Sequence, residues 1–446
     1  MKTDDTIFAL SSAPGRAAIA VIRISGPAAG MALAKLSGRV ALPEPRRGAF
    51  ARLRNPENGA PLDDALVLWF PSPGSETGED VAELQIHGGR ATTAGVLTAL
   101  AKLPGLRLAE PGEFTRRGFL NGKLDLTAVE GLADLVDAET EAQRCQALRQ
   151  LRGGLSRLYE GWRARLIRLL AHAEARIDFP DEVDERGISE DQVSEVLGLS
   201  EEISQHLDDN RRGERLRDGL AVAILGAPNA GKSSLLNALA RRDAAIVSEL
   251  AGTTRDVIEV HLDLGGYPVI LADTAGIRES GDLVEKEGVR RALARAEQAD
   301  LRLVLVEAGK WPEIPTQLAP LLDDGSIPVT TKLDLARPAG ELILNGRPAL
   351  GISVRTGEGI PSLLRRLEEE AAKRLAAGEA PIVTRLRHRE GLLDCLAALE
   401  RAAKAAAPEL AAEDLRMALR SLGRITGRVD VEELLDVIFR DFCIGK

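Results

Sequence analysis

Gly226, Gly231, Lys232 and Ser233 stand in the spacing G-x-x-x-x-G-K-[ST]. That spacing suits the holding of phosphates. The glycines let backbone N–H groups turn toward an anion, and the N-terminus of a following helix adds a favourable dipole. Lys232 is placed to neutralise the β- and γ-phosphates, and the Ser233 hydroxyl to join Mg²⁺. Asn229, Ala230 and Ser234 complete the loop and the first helical turn. The flanks are those the motif requires: Leu220 to Leu225 is an apolar run of strand type, and Leu235, Leu236 and Leu239 repeat with helical spacing. A chance Gly/Ser-rich turn is the bland alternative, and the pieces downstream argue against it.

Those pieces arrive in order. Ser248, Glu249, Leu250, Ala251, Gly252, Thr253 and Thr254 form a switch-type segment in which Thr254 would reach Mg²⁺ and the γ-phosphate. Asp273, Thr274, Ala275 and Gly276 follow the apolar stretch Val269–Ala272, with a carboxylate for water-mediated Mg²⁺ contact and a glycine N–H for the γ-phosphate. Lys332 and Asp334 end another apolar run, and Ser353, Val354 and Arg355 end a third. This set resembles the translation-factor-related GTPases, whose guanine motif is N-K-x-D. The resemblance implies that Asp334 accepts hydrogen bonds from guanine N1 and the 2-amino group, a pairing adenine cannot make. Thr331 departs from the pattern by standing in the Asn position. It is shorter and lacks the amide's paired donor and acceptor, so one base or loop-tying contact is expected to weaken.

Ile277 stands where Ras-like GTPases place a water-orienting Gln, so water positioning and charge stabilisation must come from elsewhere. Asn229, taken with Ser248 to Thr254, resembles the potassium-activated GTPases. That resemblance implies K⁺ ligation by Asn229, Ser248, Leu250 and Thr253, the cation supplying positive charge against the phosphates. An ordinary turn residue is the other reading of Asn229.

The elements that must position these residues are α/β and α+β, in several domains. Residues 1–118 mix short apolar strands (Ala18–Ile24, Ala65–Phe70, Val81–Ile86) with a helix near 91–103 and Gly/Pro punctuation, as an α+β domain does. Residues 119–214 are Ala/Leu/Glu/Arg-rich and helical, 215–378 alternate strand and helix, and 379–446 are helical again. One discontinuous helical domain with an α/β unit inserted into it accounts for this order, and two separate bundles are the alternative. The 446-residue length suits roughly three domains.

Composition excludes several classes. With 44% hydrophobic and 28% charged residues the chain is of ordinary globular type, without a membrane-spanning apolar run or a signal-peptide core near its start. Three cysteines, odd in number and far apart, point to a reducing cytoplasm rather than a disulfide framework. A net charge of −10 argues against a general nucleic-acid coating. Arg144, Arg149, Arg152, Arg157, Arg163, Arg165 and Arg168, opposed locally by Glu160, form the one basic run of note. A solvated helix face is its plain explanation and an RNA surface the sharper one. Cys145 and Cys395, in helical stretches, read as core fillers.

The chain ends carry a more specific resemblance. The terminal Cys443-Ile444-Gly445-Lys446 is similar to that of the MnmE (TrmE) family of tRNA-modification GTPases, within the TrmE-Era-EngA-like class. Asp5-Thr6-Ile7, Pro14-Gly15-Arg16, Arg23-Ile24-Ser25-Gly26, Thr77-Gly78-Glu79-Asp80, Glu83-Leu84-Gln85 and His87-Gly88-Gly89 fit as well. Pro111-Gly112-Glu113-Phe114, Asn121-Gly122-Lys123-Leu124-Asp125 and Ile177-Asp178-Phe179-Pro180-Asp181-Glu182 complete the set. The resemblance implies an N-terminal folate-binding and dimerising domain, a helical domain completed by the C-terminus, and an inserted P-loop GTPase domain. It implies a homodimer working with the FAD-dependent partner MnmG (GidA) on the 5-carbon of the wobble uridine of certain tRNAs. By the same resemblance a methylene- or formyl-tetrahydrofolate would supply the one-carbon unit, and Arg23, Glu83, Lys123 and Lys446 would contact it. Carboxylate pairing with a pterin edge and cations on a glutamate tail make chemical sense of that set. Glu285 matches the family's catalytic glutamate and Cys443 its modification cysteine, whose role as nucleophile, acid or structural contact stays open. Two other functions compete: a GTP-dependent switch for ribosome assembly, which leaves the Cys-Ile-Gly-Lys end without purpose, and a folate-binding scaffold, which leaves Lys232, Ser233, Thr254 and Asp273 without one.

Overall fold

The computed structural model describes residues 5–178, 190–242, 244–246, 259–273, 296–376, 378, 380–429, 432–440, 442 and 444–445. The chain forms two compact units: Met1–Ala133 with Leu151–Arg163 and Leu419–Lys446, and Asp134–Gln150 with Ala164–Ala418.

The first unit is built on β1 (Thr6–Leu10), β2 (Ile19–Ser25), β3 (Ala49–Arg54), β4 (Pro61–Phe70), β5 (Val81–His87) and β6 (Leu106–Leu108) in the order β3-β4-β5-β2-β1-β6. All neighbours are antiparallel except β1 and β6. Alternation directs Ile22, Ile24, Val67, Leu84 and Ile86 to one face, where α1 (Ala29–Ser37) and α2 (Arg90–Ala101) cover them with Leu33, Leu36, Val96 and Leu100. The three expected strands and the helix are present with shifted ends. Three further strands, β1, β3 and β6, escape the sequence pattern. In β3 the largest apolar side chain, Phe50, is 59% exposed while Ala51 and Leu53 are buried, so side-chain size points to the wrong face. Next come α3 (Glu113–Leu120) and α4 (Leu126–Asp137), and Leu126 and Val129 are sealed by Leu435 and Phe439 of the terminal helix Glu432–Arg440 and by Phe442 just past it. Past that helix the chain pairs Ile444 with Pro111 across an antiparallel bridge.

The second unit opens with α5 (Glu141–Leu151), part of α6 (Gly154–Asp178), α7 (Glu190–Leu207) and α8 (Arg212–Asp218). Its sheet contains β7 (Leu220–Gly226), β8 (Glu259–Leu264), β9 (Tyr267–Asp273), β10 (Leu301–Glu307) and β11 (Ser326–Thr331). A short hairpin, β12 (Ile343–Leu344) with β13 (Arg347–Pro348), precedes the last strand, β14 (Leu350–Gly351). The order is β14-β11-β10-β7-β9-β8, parallel except for β8. Central strands buried on both faces read as continuous apolar runs, which is why β7, β10 and β11 are visible in the sequence. The α9 helix (Lys232–Ala240) and α10 (Ile360–Leu375) pack on this sheet with Leu235, Leu239, Leu363 and Leu367. Beyond α10 lie α11 (Leu386–Lys404) and α12 (Pro408–Thr426).

Helix α7, before the inserted sheet, packs along α11, which follows it. Val196, Leu199 and Ile203 are fully buried on α7, as are Leu392, Cys395 and Leu399 on α11, each set at three- or four-residue spacing. Each aliphatic side chain so buried contributes about 1.5–3 kcal/mol. Helices α7 and α11, one on each side of the insert, therefore pack into one helical body, which argues against the two-bundle alternative. Among the described residues no helix is long and apolar enough to cross a membrane.

Candidate functional site

The parallel strands β7, β10, β11 and β14 end on the same edge of the sheet, and β9 ends there too. From β7 the chain crosses to β9 on one side and to β10 on the other, and such a switch point opens a crevice at the strand ends. The phosphate-loop residues lie in it. Gly226 ends β7 so close to β10 that an added Cβ would stand 2.7 Å from the Leu305 carbonyl oxygen. Asn229 and Gly231 take left-handed backbone conformations, φ 65° and 95°. Asn tolerates that region better than other side-chain-bearing residues, which gives Asn229 a local structural reason to be there. Gly231 is the residue that starts α9, with Lys232, Ser233 and Ser234 in its first turn. Lys232 is 8% exposed and folds back over its own loop, its Nζ donating to the carbonyls of Gly226 at 2.9 Å and Ala227 at 3.0 Å. Ser233 and Ser234 face solvent. Exposed loop N–H groups, a folded-back ammonium and a helix N-terminus together make an anion cradle.

The neighbouring strand ends supply a second half. Thr331 closes β11 and is buried, with its Oγ1 donating to the Ala230 carbonyl at 2.7 Å. Of the two contacts expected to suffer, the loop tie is kept: the hydroxyl, although shorter than an Asn amide, reaches the phosphate loop directly. Lys332, with φ 59°, carries its Nζ to Glu307 at 3.0 Å at the end of β10. The Ser353 hydroxyl, fully buried, donates to Asp334 Oδ1 at 2.7 Å, and Arg355 Nη1 stands 3.9 Å from Oδ2. The Ser353 hydrogen bond, with the Arg355 and Lys332 charges in support, outweighs the opposing effect of burial and holds the Asp334 carboxyl below its ordinary range. Asp334 is therefore a committed carboxylate, able only to accept. Backbone bonds from Leu333 N to Ile352 O at 3.2 Å and from Ile352 N to Thr330 O at 2.7 Å fix the two loops against each other. Val354 packs at the rim of the sheet core.

Asp273 is the last residue of β9, in register with Ile224 of β7, so its backbone belongs to the crevice edge. Ser248, Glu249, Leu250, Ala251, Gly252, Thr253 and Thr254 lie outside the described residues, as do Thr274, Ala275, Gly276, Ile277 and Glu285. Cys443 and Lys446 also lie outside them.

A second constellation belongs to the first unit. Arg23 on β2 and Glu83 on β5 are register partners, and Arg23 Nε and Nη2 both donate to Glu83 Oε1, at 3.0 and 2.9 Å. Arg23 Nη1 also meets Glu76 Oε2 at 3.0 Å, and its guanidinium lies 5.8 Å from the Phe114 ring centre. Arg23, Glu76 and Glu83 line a cavity of about 200 Å³ with Arg46, Gly74, Ser75 and Thr77. Both Arg23 contacts fall on Oε1, so Oε2 of Glu83 can accept from a ligand's N–H edge. Lys123 donates to the Pro73 carbonyl at 2.8 Å, beside the cavity wall at Gly74. Arg23, Glu83 and Lys123 are thus brought together. Glu76 and Arg46 were missed by sequence reasoning, because each is a polar residue in a loop with no periodic or motif signal.

The arginine run is better opposed than its local sequence indicates. Arg144 pairs with Glu141, Arg163 with Glu160, and Arg165 with Glu195 and Glu202, while Arg149 and Arg157 donate to carbonyls. That favours the solvated face. Cys395 is buried, and burial pushes its thiol up to about 12. Cys145 is corrected: it is half-buried on α5 with its Sγ 3.2 Å from Glu141 Oε1, and it is no core filler.

Comparison with known proteins adds to this geometry. The family described as GTP-binding protein TrmE N-terminus matches residues 6–123, and the MnmE helical domain matches residues 126–443. A protein of Paramagnetospirillum magneticum called tRNA modification GTPase MnmE is 58% identical over 442 residues, covering 99% of this chain and all of that protein. Proteins with the same name from Parvibaculum lavamentivorans and Rhodospirillum rubrum are 59% and 57% identical, covering 99% and 100% of this chain and 100% of each relative. With a phosphate cradle and a carboxylate-bearing loop on one sheet edge, and with likeness from end to end, the chain belongs to the MnmE family of tRNA modification GTPases.

Proposed function

We propose that this GTPase is potassium-activated and acts with an FAD-dependent partner of the MnmG (GidA) kind to modify the 5-carbon of the wobble uridine in certain tRNAs. The observation that carries the nucleotide half is the meeting of Lys232, Thr331 and Asp334 on one strand edge, with Thr331 bonded to the phosphate loop. Lys232 leaves its loop carbonyls to meet the β- and γ-phosphates, and Asp334 accepts from the guanine N1 and 2-amino edge. Ser233 and Thr254 would hold Mg²⁺, with Asp273 and Thr274 to Gly276 beside the γ-phosphate. Asn229, Ser248, Leu250 and Thr253 would hold K⁺, whose charge stands against the phosphates, and Glu285 would orient the attacking water. The exposed position of Asn229 on the loop supports its part in that set.

The cavity beside Arg23 and Glu83 fits a ligand with an amino-pyrimidine edge, because the free Glu83 oxygen accepts where such an edge donates. Tetrahydrofolate is the ligand proposed, with Lys123 and Lys446 toward its acidic tail, and it supplies the one-carbon unit when bound. Cys443 would act on the tRNA side of the reaction. The domains follow as 1–118 for folate binding and dimerisation, 119–214 and 379–446 for the helical domain, and 215–378 for the GTPase. The working state is a cytoplasmic homodimer. GTP turnover by the full chain in KCl and in NaCl at matched ionic strength tests this reading. Faster turnover in K⁺ by about tenfold or more is expected from one added charge at the phosphates. Equal rates overturn the cation mechanism, and no turnover in either salt overturns the GTPase reading.

A further inference from the structure

Thr331 has a single hydroxyl hydrogen, and the structure shows where it goes. Oγ1 is 2.7 Å from the Ala230 carbonyl and 3.5 Å from the Val306 carbonyl, in a side chain 2% exposed. Both neighbours are acceptors, so the hydrogen is committed to the phosphate loop. Among the described residues, the donors beside Thr331 on the base loop are engaged or placed elsewhere. Lys332 Nζ is paired with Glu307 at 3.0 Å, the Leu333 N–H is given to Ile352 O, and Arg355 stands at the Asp334 end. A guanine base held by Asp334 through N1 and its 2-amino group turns its N7 edge away from that carboxylate. An acceptor such as N7 needs a donor, and the Asn amide of an N-K-x-D motif has two hydrogens where Thr331 has one.

We propose that this site reads guanine through its N1 and 2-amino edge alone and leaves N7 unread, Thr331 being a positioning residue that ties the base loop to the phosphate loop. The inference rests on the guanine reading of Asp334. It makes Thr331 a specificity-determining departure: the loop tie is kept, and one base contact is given up.

Binding of GDP, 7-deaza-GDP (N7 replaced by C–H) and inosine diphosphate (no 2-amino group) to the full chain tests it. The wild type should bind 7-deaza-GDP within threefold of GDP and inosine diphosphate at least about tenfold more weakly. Thr331→Asn should separate GDP from 7-deaza-GDP by about five- to tenfold, since it restores a donor. Thr331→Ser keeps the hydroxyl and should remain indifferent to N7. Thr331→Val should weaken all three nucleotides together by about tenfold through the lost tie, with their ratios unchanged. A purely structural Thr331 would leave the 7-deaza ratio unmoved in every variant, which overturns the proposal. A wild-type loss of more than threefold with 7-deaza-GDP, with inosine diphosphate still rejected, also overturns it and spares the reading of Asp334. If inosine diphosphate binds as tightly as GDP, the reading of Asp334 falls and the proposal with it.

Discussion

Arg117→Met removes one guanidinium from the buried support of the cavity loop. Arg117 is 3% exposed, and its Nη1 donates to the Asp5 carbonyl at 3.0 Å and to Glu79 at 3.1 Å. Its Nη2 donates to Asp5 Oδ1 at 2.9 Å and to Glu113 Oε1 at 3.0 Å. Glu79 in turn accepts from Ser25 at 2.8 Å, and Thr77 bonds the same Ser25 hydroxyl at 2.8 Å, so the loop lining the cavity hangs on this network. Methionine fills the volume but takes one buried counter-charge from both Glu79 and Glu113, 15% and 11% exposed, with Arg107 remaining on Glu113. Breaking a buried pair on one side costs about 3–5 kcal/mol, which is roughly two to four decades in an opening equilibrium. Hydrogen exchange of β2 and β5 amides in the full chain reads this directly. Arg117→Met should lower their protection by that factor, and the added Glu79→Gln change should recover part of it. Protection within tenfold of wild type in the single variant refutes the argument.

The same network gives the first unit an acid limb. Burial by itself would raise the carboxyl of Glu113, but hydrogen bonds from Arg107, the Glu110 N–H and Arg117 outweigh it and hold it below its ordinary value; Asp5 behaves alike through Arg107 and Arg117. A depressed native value adds stability that is fully present above the unfolded carboxyl range. That stability is lost as pH falls through the native value. Wild-type β2 and β5 should therefore lose protection below about pH 4, and Arg117→Met should flatten that dependence.

Two further outcomes are expected. Gly359→Ala places a Cβ in direct overlap with the Gly351 carbonyl oxygen and 3.0 Å from its carbon, at φ +74°. The left-handed conformation alone costs about 1–2 kcal/mol, so GDP affinity by titration should fall at least about tenfold as the Ser353 loop shifts; unchanged affinity contradicts the loop geometry. Cys443→Ser should abolish uridine modification and leave GTP turnover within about twofold, because a thiol-to-hydroxyl change removes thiolate chemistry and little volume. Loss of both activities, or of neither, removes the role proposed for Cys443.

Much of the nucleotide edge was legible because its physics is local. A phosphate loop must have glycines where its backbone turns, and Gly226 and Gly231 announce it. The central strands β7, β10 and β11 are buried on both faces and show as apolar runs. The β8 strand alternates Val260, Leu262 and Leu264 inward with Glu259, His261 and Asp263 between them, and that charge hides a half-buried edge strand. The tie from Thr331 to Ala230 joins residues 101 positions apart, so the sequence displayed an odd Thr without its partner. The N-terminal cavity was half visible: Arg23 and Glu83 came from family resemblance, whereas Glu76 and Arg46 come from loops with no pattern to mark them. Arg117, likewise, gathers Asp5, Glu79 and Glu113, whose convergence no local rule predicts.

The most direct test of the central claim uses cells whose only copy of this gene carries Lys232→Ala. The cells' tRNA is digested to nucleosides and the wobble uridines are measured by mass. Lys232 Nζ donates to the phosphate-loop carbonyls of Gly226 and Ala227, so a GTP-driven modification enzyme predicts loss of the 5-substituted uridine together with GTP hydrolysis. Normal levels of the modified nucleoside in that strain, with hydrolysis by the purified variant abolished, would contradict it.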